Sequence, residues 1–381
     1  MKQSNRIEWL DGLRGLACIL IFVHHFCLCF LPAIHFGESA PTYLWGFDRS
    51  LAQSPLSFLL NGNFLVAIFC TVSGVVISMQ VIRMEDRERL SDLVAKRYFR
   101  LMLPLLPVAV AVFLLSNFGA FTKLEAAGYT GSSWAASYYR DTVSFGEILQ
   151  SAVVRTWFFG DDTLSTAFWM LSKLFFGTFL SVILSVIAWK YERHTWVIFA
   201  IVSIFLFGNS ELLAAFALGT LLAWLVWNRQ SLLRPVIGIP SLVLGLALGA
   251  FPSGVIPTNF YRYLDFLTYI DWHILGAFLT LFGIFCCKIP QKILSAAPLR
   301  WLGKCSYAVY LIHVPLLFSL STSLFLWLRE PLGYLGSVGV SFAVSCCCLL
   351  LISCFYARYV ERGCERGQGL FLNFFKKGDK K

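Results

Sequence analysis

The sequence predicts an all-α polytopic membrane protein. Of its 381 residues, 58% are hydrophobic and only 14% charged, and the mean hydropathy is +0.71. The apolar residues also fall in runs of about 20, the length a helix needs to cross a hydrocarbon core of roughly 30 Å. These runs lack the period-2 alternation of a transmembrane barrel, so helices are the structure that satisfies their backbone in lipid.

Ten runs are placed near 10–31, 57–80, 101–117, 166–189, 195–209, 211–227, 236–251, 270–288, 303–328 and 334–357. The first is broken by Asp11 and Arg14 and carries no small-residue cleavage site, so it is expected to stay in the protein. Lysine and arginine set the orientation. With both termini in the cytoplasm, 23 of these residues fall inside, six fall outside, and Arg14 and Lys173 lie within spans. Among the inner ones are the 83–100 loop, Lys288, Lys292, Arg300, Lys304 and the tail after Arg358. The whole chain, 1–381, therefore reads as one membrane-embedded domain, with its core at about 6–357 and a basic cytoplasmic tail at 358–381. The longest loop, roughly 118–165, faces outward.

The net charge of +10 raises a nucleic-acid partner. The basic residues sit in short gaps between apolar runs rather than in a stripe with exposed aromatics, so they are read as topology signals and no nucleic acid is expected. The twelve cysteines lie mostly inside apolar runs, with no CxxC pair and no spaced Cys/His cluster. Neither a disulfide framework nor a metal site is expected.

Within the first run, DGLRGLACILIFVHH (11–25) holds an aspartate, an arginine and two histidines. An ionisable residue inside a span costs about 3 kcal/mol on insertion scales and marks function by default. At 100° per residue, Arg14 and His25 share a face to within about 20°, roughly 16 Å apart, and Asp11 joins their stripe; His24 points about 80° away. In the ninth run, LGKCSYAVYLIHVP (302–315) places Ser306, Tyr310 and His313 on one face, at a depth comparable with His25. The two histidines are expected to serve one site. A snorkelling arginine and a histidine bonded to a neighbouring helix are the structural alternatives.

Four elements, in order, resemble the signature of the integral membrane acyltransferase-3 family. These are DGLRGLA followed by His25; FCTVSG at 69–74, with Ser73 and Gly74; KRYFRLMLP at 96–104, with Arg97 and Arg100; and LGKCSYAVYLIH at 302–313, with Tyr307, Tyr310 and His313. The resemblance implies a ten-helix fold and acylation of sugars on envelope polysaccharides and related acceptors. By family habit it also implies a bacterial inner membrane. Where the family commonly carries an acid shortly after a tryptophan, STAFWMLSKLFFG (165–177) keeps Trp169 but has Lys173 and Leu174. Lys173 faces the same way as Trp169, so it either replaces the acid or lies at the span boundary.

Acyl transfer to a hydroxyl needs a base, a stabiliser for the developing oxyanion and a grip on the donor. His25 is the candidate base, because an imidazole suits proton transfer near neutral pH. His313 is placed beside it. Arg14, Arg97 and Arg100 are candidates to hold the phosphates of acyl-coenzyme A, since guanidinium matches phosphate bidentately. Anionic lipid and topology explain Arg97 and Arg100 equally well. Ser73 and Gly74 suit helix packing better than nucleophilic attack. Acyl-coenzyme A is expected as donor substrate rather than as a tightly bound cofactor, and the remaining partners are a carbohydrate acceptor and the bilayer. The residues alone also permit a proton-coupled transporter built on His25, His313 and Lys173, or a membrane scaffold in which the polar groups only lock helices.

Overall fold

The computed structural model describes residues 7–84, 89–137, 143–191, 195–207 and 212–369. Lys2, Arg6, Arg87, Arg193 and residues 370–381 of the expected basic face and tail lie outside them. Each predicted run is helical. The long helices are α1 (Glu8–Phe30), α2 (Gly62–Ile82), α3 (Arg89–Asn117), α4 (Trp169–Lys190), α5 (Thr195–Phe207), α6 (Leu213–Asn228), α7 (Pro235–Gly249), α8 (Tyr269–Cys286), α9 (Ala297–Leu316) and α10 (Thr322–Tyr356). No strand occurs among the described residues.

Among the described residues, six helical stretches are long and apolar enough to cross a membrane, and the last of them runs over 297–369. The helices at 197–207, 213–228 and 235–249 are apolar but shorter. The last stretch is not one rod. Gly333 breaks it with φ 65 and ψ 179, a left-handed backbone that glycine adopts without a Cβ penalty. The protein is all-α and polytopic.

The chain divides into two units, one of 1–85, 130–132 and 176–304, the other of 86–129, 133–175 and 305–381. Each is described by itself. In the first unit α2 packs on α1, α6 and α8, and α7 runs against α8. Small residues allow the close approaches: a Cβ on Gly74 would stand 2.5 Å from the Phe216 carbonyl oxygen, and one on Gly219 would stand 2.3 Å from that of Thr71. One turn further along, the Ser78 hydroxyl donates to Thr220 Oγ1 at 2.9 Å. Packing of this kind holds helices together in lipid, where the hydrophobic effect gives little drive.

The start of α1 is seated the same way. A Cβ on Gly15 would stand 2.5 Å from the Leu299 carbonyl oxygen, and one on Gly303 would stand 2.0 Å from that of Asp11. Arg300 pairs with Glu8 at 2.6 Å, and Trp9 packs edge-on against Phe285 at 4.7 Å. The first turns of α1, the end of α8 and residues 297–304 thus share one end of the unit. At the other end, the 31–61 and 250–263 segments are tied together. Ser57 donates to the Ala250 carbonyl at 2.9 Å, and Asn259 Nδ2 donates to the Gln53 carbonyl at 2.8 Å.

In the second unit α3 carries Pro104 and Pro107 inside the helix. A proline lacks the N–H of the intrahelical bond and opens the preceding turn. The carbonyls left without a helical N–H are those four residues earlier, Arg100 and Leu103; beside them, Tyr307 donates to the Leu101 carbonyl at 2.5 Å, and Tyr356 donates to the carbonyl of Pro104. Each accepting carbonyl lies three residues before a proline. A π-turn at Leu317–Ser321 follows Pro315, and the Thr122 amide docks on its Phe318 carbonyl at 3.2 Å.

Candidate functional site

Four of the described histidines, His24, His25, His35 and His273, lie in the first unit. On α1, Asp11, Arg14 and His25 are all half-buried, while His24 is buried. His24 Nδ1 lies 2.7 Å from the Leu60 carbonyl oxygen. A carbonyl only accepts, so Nδ1 carries the proton. The same ring packs over Gly62, where a Cβ would meet His24 Cδ2 at 2.4 Å and Nε2 at 2.6 Å. His24 is therefore wedged against the start of α2.

Its ring also stands edge-on to two others, His25 at 5.1 Å and His35 at 5.3 Å between centroids. His35 follows α1 on a short helical turn, Ala33–Phe36, and burial pushes its pKa down to about 4, so it is neutral at physiological pH. With Ser57, Leu60, Asn61 and Ser253 it lines a cavity of about 10 Å³, roughly the room of one water or one hydroxyl group.

Behind that cavity, Asn61 Nδ2 donates to the Phe251 carbonyl at 2.9 Å and lies 3.0 Å from His273 Nε2. His273 is fully buried. Its Nε2 donates to the same Phe251 carbonyl at 2.9 Å, and its Nδ1 is buried without a hydrogen-bond partner among the described residues. Asp271, two residues earlier, is a helix cap: with Thr268 it forms a capping box at the start of α8.

In the second unit Ser306, Tyr310 and His313 are buried on α9. Tyr310 and His313 lie together, with ring centroids 5.9 Å apart. Nδ1 of His313 lies 2.7 Å from the Tyr310 carbonyl oxygen and 3.2 Å from that of Val309. This bond puts the proton on Nδ1 and leaves the Nε2 lone pair as the basic position. The Tyr310 hydroxyl donates to the Ala167 carbonyl, and the Phe168 ring lies tilted against that of Tyr310 at 6.0 Å between centroids. The late histidine element is thereby joined to the residues that lead into Trp169. Trp169 and Lys173, one turn apart on α4, are both half-buried.

On α3, Arg97 is half-buried and Arg100 exposed, and Arg100 pairs with Glu365 at 3.2 Å. Tyr307, on α9, is committed to the Leu101 carbonyl. Ser73 is half-buried, and Gly74 is a contact point of α2 with α6. His25 belongs to the first unit and His313 to the second.

The sequence reading passed over His35, Asn61 and His273. His273 sits inside the apolar run YIDWHILG, where the rule applied to His25 would have found it. His35 and Asn61 lie in irregular chain, where periodicity carries no signal.

Residues 7–352 match the family described as an acyltransferase domain. The match takes in both histidine elements. The chain belongs to this acyltransferase family. It is also similar, over short stretches, to three fungal proteins. Acyltransferase clz18 of Cochliobolus lunatus is 32% identical over 96 residues, covering 24% of this chain and 20% of that protein. Acyltransferase R4 of Phoma sp. is 29% identical over 97 residues, covering 24% and 21%. O-acetyltransferase PaAT-1 of Phomopsis amygdali is 26% identical over 132 residues, covering 32% and 25%. The chain thus spans about a quarter or less of the length of these curated relatives. No solved structure matches.

Proposed function

We propose that this chain is a membrane O-acyltransferase that moves an acyl group, acetyl in the first instance, from acyl-coenzyme A to a hydroxyl of a carbohydrate or glycoconjugate. The observation that carries the reading is that the family match over 7–352 takes in Arg14 and His25 on α1 and His313 on α9, the polar residues of two apolar helices. The name of PaAT-1, an O-acetyltransferase, supports oxygen as the acceptor atom and acetyl as the group.

In this reading His25 takes the proton of the acceptor hydroxyl as its oxygen attacks the thioester carbonyl. The C–S bond then breaks, and the leaving thiolate recovers the proton as coenzyme A. His313, with its proton on Nδ1 and its basic lone pair on Nε2, assists proton handling. Arg14 holds donor phosphate at the start of α1, and Arg97 and Arg100 do so on α3. Acyl-coenzyme A is a substrate here, not a resident cofactor.

The basic residues around 288–304 and the start of α1 share one end of the first unit, which supports both termini and the donor on the positively charged side. The acceptor then meets the opposite end, where His24, His35 and Asn61 gather. The compartment is a cellular membrane. The fungal relatives remove the reason to prefer a bacterial inner membrane.

The test uses the purified chain in lipid nanodiscs, with acetyl-coenzyme A and a mixture of oligosaccharides. Release of free coenzyme A thiol together with ester-linked acetate on sugar is the expected result. Solute flux in proteoliposomes with no consumption of acyl-coenzyme A would instead establish the transporter.

A further inference from the structure

Among the described residues, one side-chain-bearing amino acid has a left-handed backbone: Trp45, with φ 52. A bulky residue adopts that conformation only where its surroundings impose it, and such outliers gather at functional positions. Gly46 follows with φ 87. Yet the Trp45 side chain packs on nothing; the residue is 92% exposed.

What imposes the conformation is a tether beneath it. The Asp48 carboxylate, fully buried, accepts from the amides of Tyr43 at 2.7 Å, Leu44 at 3.3 Å and Arg49 at 3.1 Å, and from the Thr42 hydroxyl. Thr42 Oγ1 in turn accepts from the Gly46 amide at 3.1 Å, and Ser50 donates to the Gly46 carbonyl at 3.1 Å. The Thr42 and Ser50 hydroxyls and the Asp48 carboxylate hold the turn's own backbone. What it offers outward is Trp45 and Phe47, with Leu56 also exposed further along the segment. This inverts the polarity of an ordinary surface turn, which shows its polar groups to water.

Two partners take a bare indole. A saccharide stacks on it but also needs hydrogen-bonding side chains around the ring, whereas Thr42, Asp48 and Ser50 hold the turn's own backbone and the large side chains exposed with Trp45 are the apolar Phe47 and Leu56. The bilayer interface needs none, and it favours tryptophan for its amphipathic ring. Position agrees with the second. The turn joins the end of α1 at Phe30 to the start of α2 at Gly62, both helices long and apolar enough to span, so it lies where the chain leaves the hydrocarbon. Arg49, half-buried beside Asp48, adds a cation of the kind found at headgroup level.

We propose that the Trp45 turn is a pre-shaped membrane anchor whose partner is the headgroup and upper acyl region of the phospholipid bilayer. The tether removes the ordering cost of insertion, since the backbone is already fixed. The proposal is independent of the acyltransfer reading.

The experiment replaces Trp45 with the photoreactive p-benzoylphenylalanine in the full chain, in phosphatidylcholine nanodiscs, and identifies adducts by mass spectrometry. Val243, exposed on the apolar helix α7, carries the same probe as a positive control. A phosphatidylcholine adduct at position 45 is expected. A lipid adduct at 243 with none at 45 overturns the proposal, as does a glycan adduct in place of lipid when the variant is photolysed in native membranes. Fluorescence supplies a second reading: Trp45→Phe should remove emission that brominated phosphatidylcholine quenches in the wild type, and loss of only unquenched emission overturns it.

Discussion

Nδ1 of His24 donates to the carbonyl of Leu60 at 2.7 Å while the ring lies on Gly62, and the adjacent His25 stays half-buried on the Arg14 face of α1. Neighbouring residues of identical chemistry are thus given different work by the helical period. His25→Ala is expected to lower acyl transfer by about 10²-fold or more, with insertion and abundance unchanged. His24→Ala leaves the part-buried Leu60 carbonyl without its donor and a hole beside α2, a loss of about 1–3 kcal/mol. It should lower thermal stability and yield while keeping most activity per folded molecule. Acetylated product and membrane protein level are measured for both. Wild-type activity in His25→Ala removes the base from this mechanism, and loss of turnover in His24→Ala alone shifts the role to His24.

His35 gives a pH prediction with a definite sign. Its folded pKa, about 4 through burial, lies below the ordinary 6.5, so the unfolded chain binds a proton that the folded one refuses. Stability from this group is complete above pH 6.5 and falls as pH drops toward 4, at up to about 1.4 kcal/mol per pH unit, then levels off. His35→Gln should flatten the change between pH 7.5 and 5. Thermal unfolding in detergent reads the difference, and parallel curves for the two proteins would refute it.

The spans were legible because hydropathy reports burial in lipid directly. What the helix bodies do at their ends was not. The run expected at 101–117 is the upper part of a helix that begins at Arg89, since a charged amphipathic stretch is invisible to a hydropathy window. The break at Gly333 and the π-turn after Pro315 are set locally by backbone and packing, not by composition. Among the candidate residues, Arg14, His25 and His313 stood out as polar residues in apolar runs. The ring contacts joining His24 to His35, and Asn61 to His273, bring together residues up to 212 positions apart, and no local pattern encodes such a meeting. The glycines of DGLRG carried a second meaning too: Gly15 and Gly303 set how closely the start of α1 approaches residues 299–303.

Sidedness is open to direct measurement. Arg14 and Lys304 are expected on the cytoplasmic side and Asp161 on the other, from the imbalance of basic residues. Reporter fusions within 118–165 and after residue 304 test this. A cytoplasmic 118–165 loop would overturn the orientation and the side assigned to the donor.

Arg14→Ala is expected to raise the donor KM with partial recovery of rate at high acyl-coenzyme A, and Arg14→Lys to recover only part, because an ammonium lacks the bidentate fork. Steady-state kinetics against the donor decides. An unchanged donor dependence in an inserted protein would return Arg14 to a pairing role with Asp11.

Tyr307 and Tyr356 give the last prediction, which separates holding α3 in shape from touching the donor. Each hydroxyl serves a carbonyl three residues before a proline, Leu101 before Pro104 and Pro104 before Pro107. Each bond ties α9 or α10 to α3 beside a proline, and the accepting carbonyl keeps its own helical N–H. Tyr307→Phe and Tyr356→Phe each remove one oxygen and nothing else, and each should cost about 0.5–1.5 kcal/mol of stability. The double variant should depart from additivity, because the two bonds hold one proline-bearing helix. Arg97 and Arg100 ride on the turn just before Leu101, so loosening α3 there also shifts their guanidinium groups, and the donor KM should rise while the acceptor KM stays put. Thermal melts and two-substrate kinetics on the same preparations separate the effects. A stable Tyr307→Phe with a raised donor KM would mean that its hydroxyl meets the donor itself, and a destabilised variant with unchanged KM would mean that α3 holds its arginines without the tyrosine.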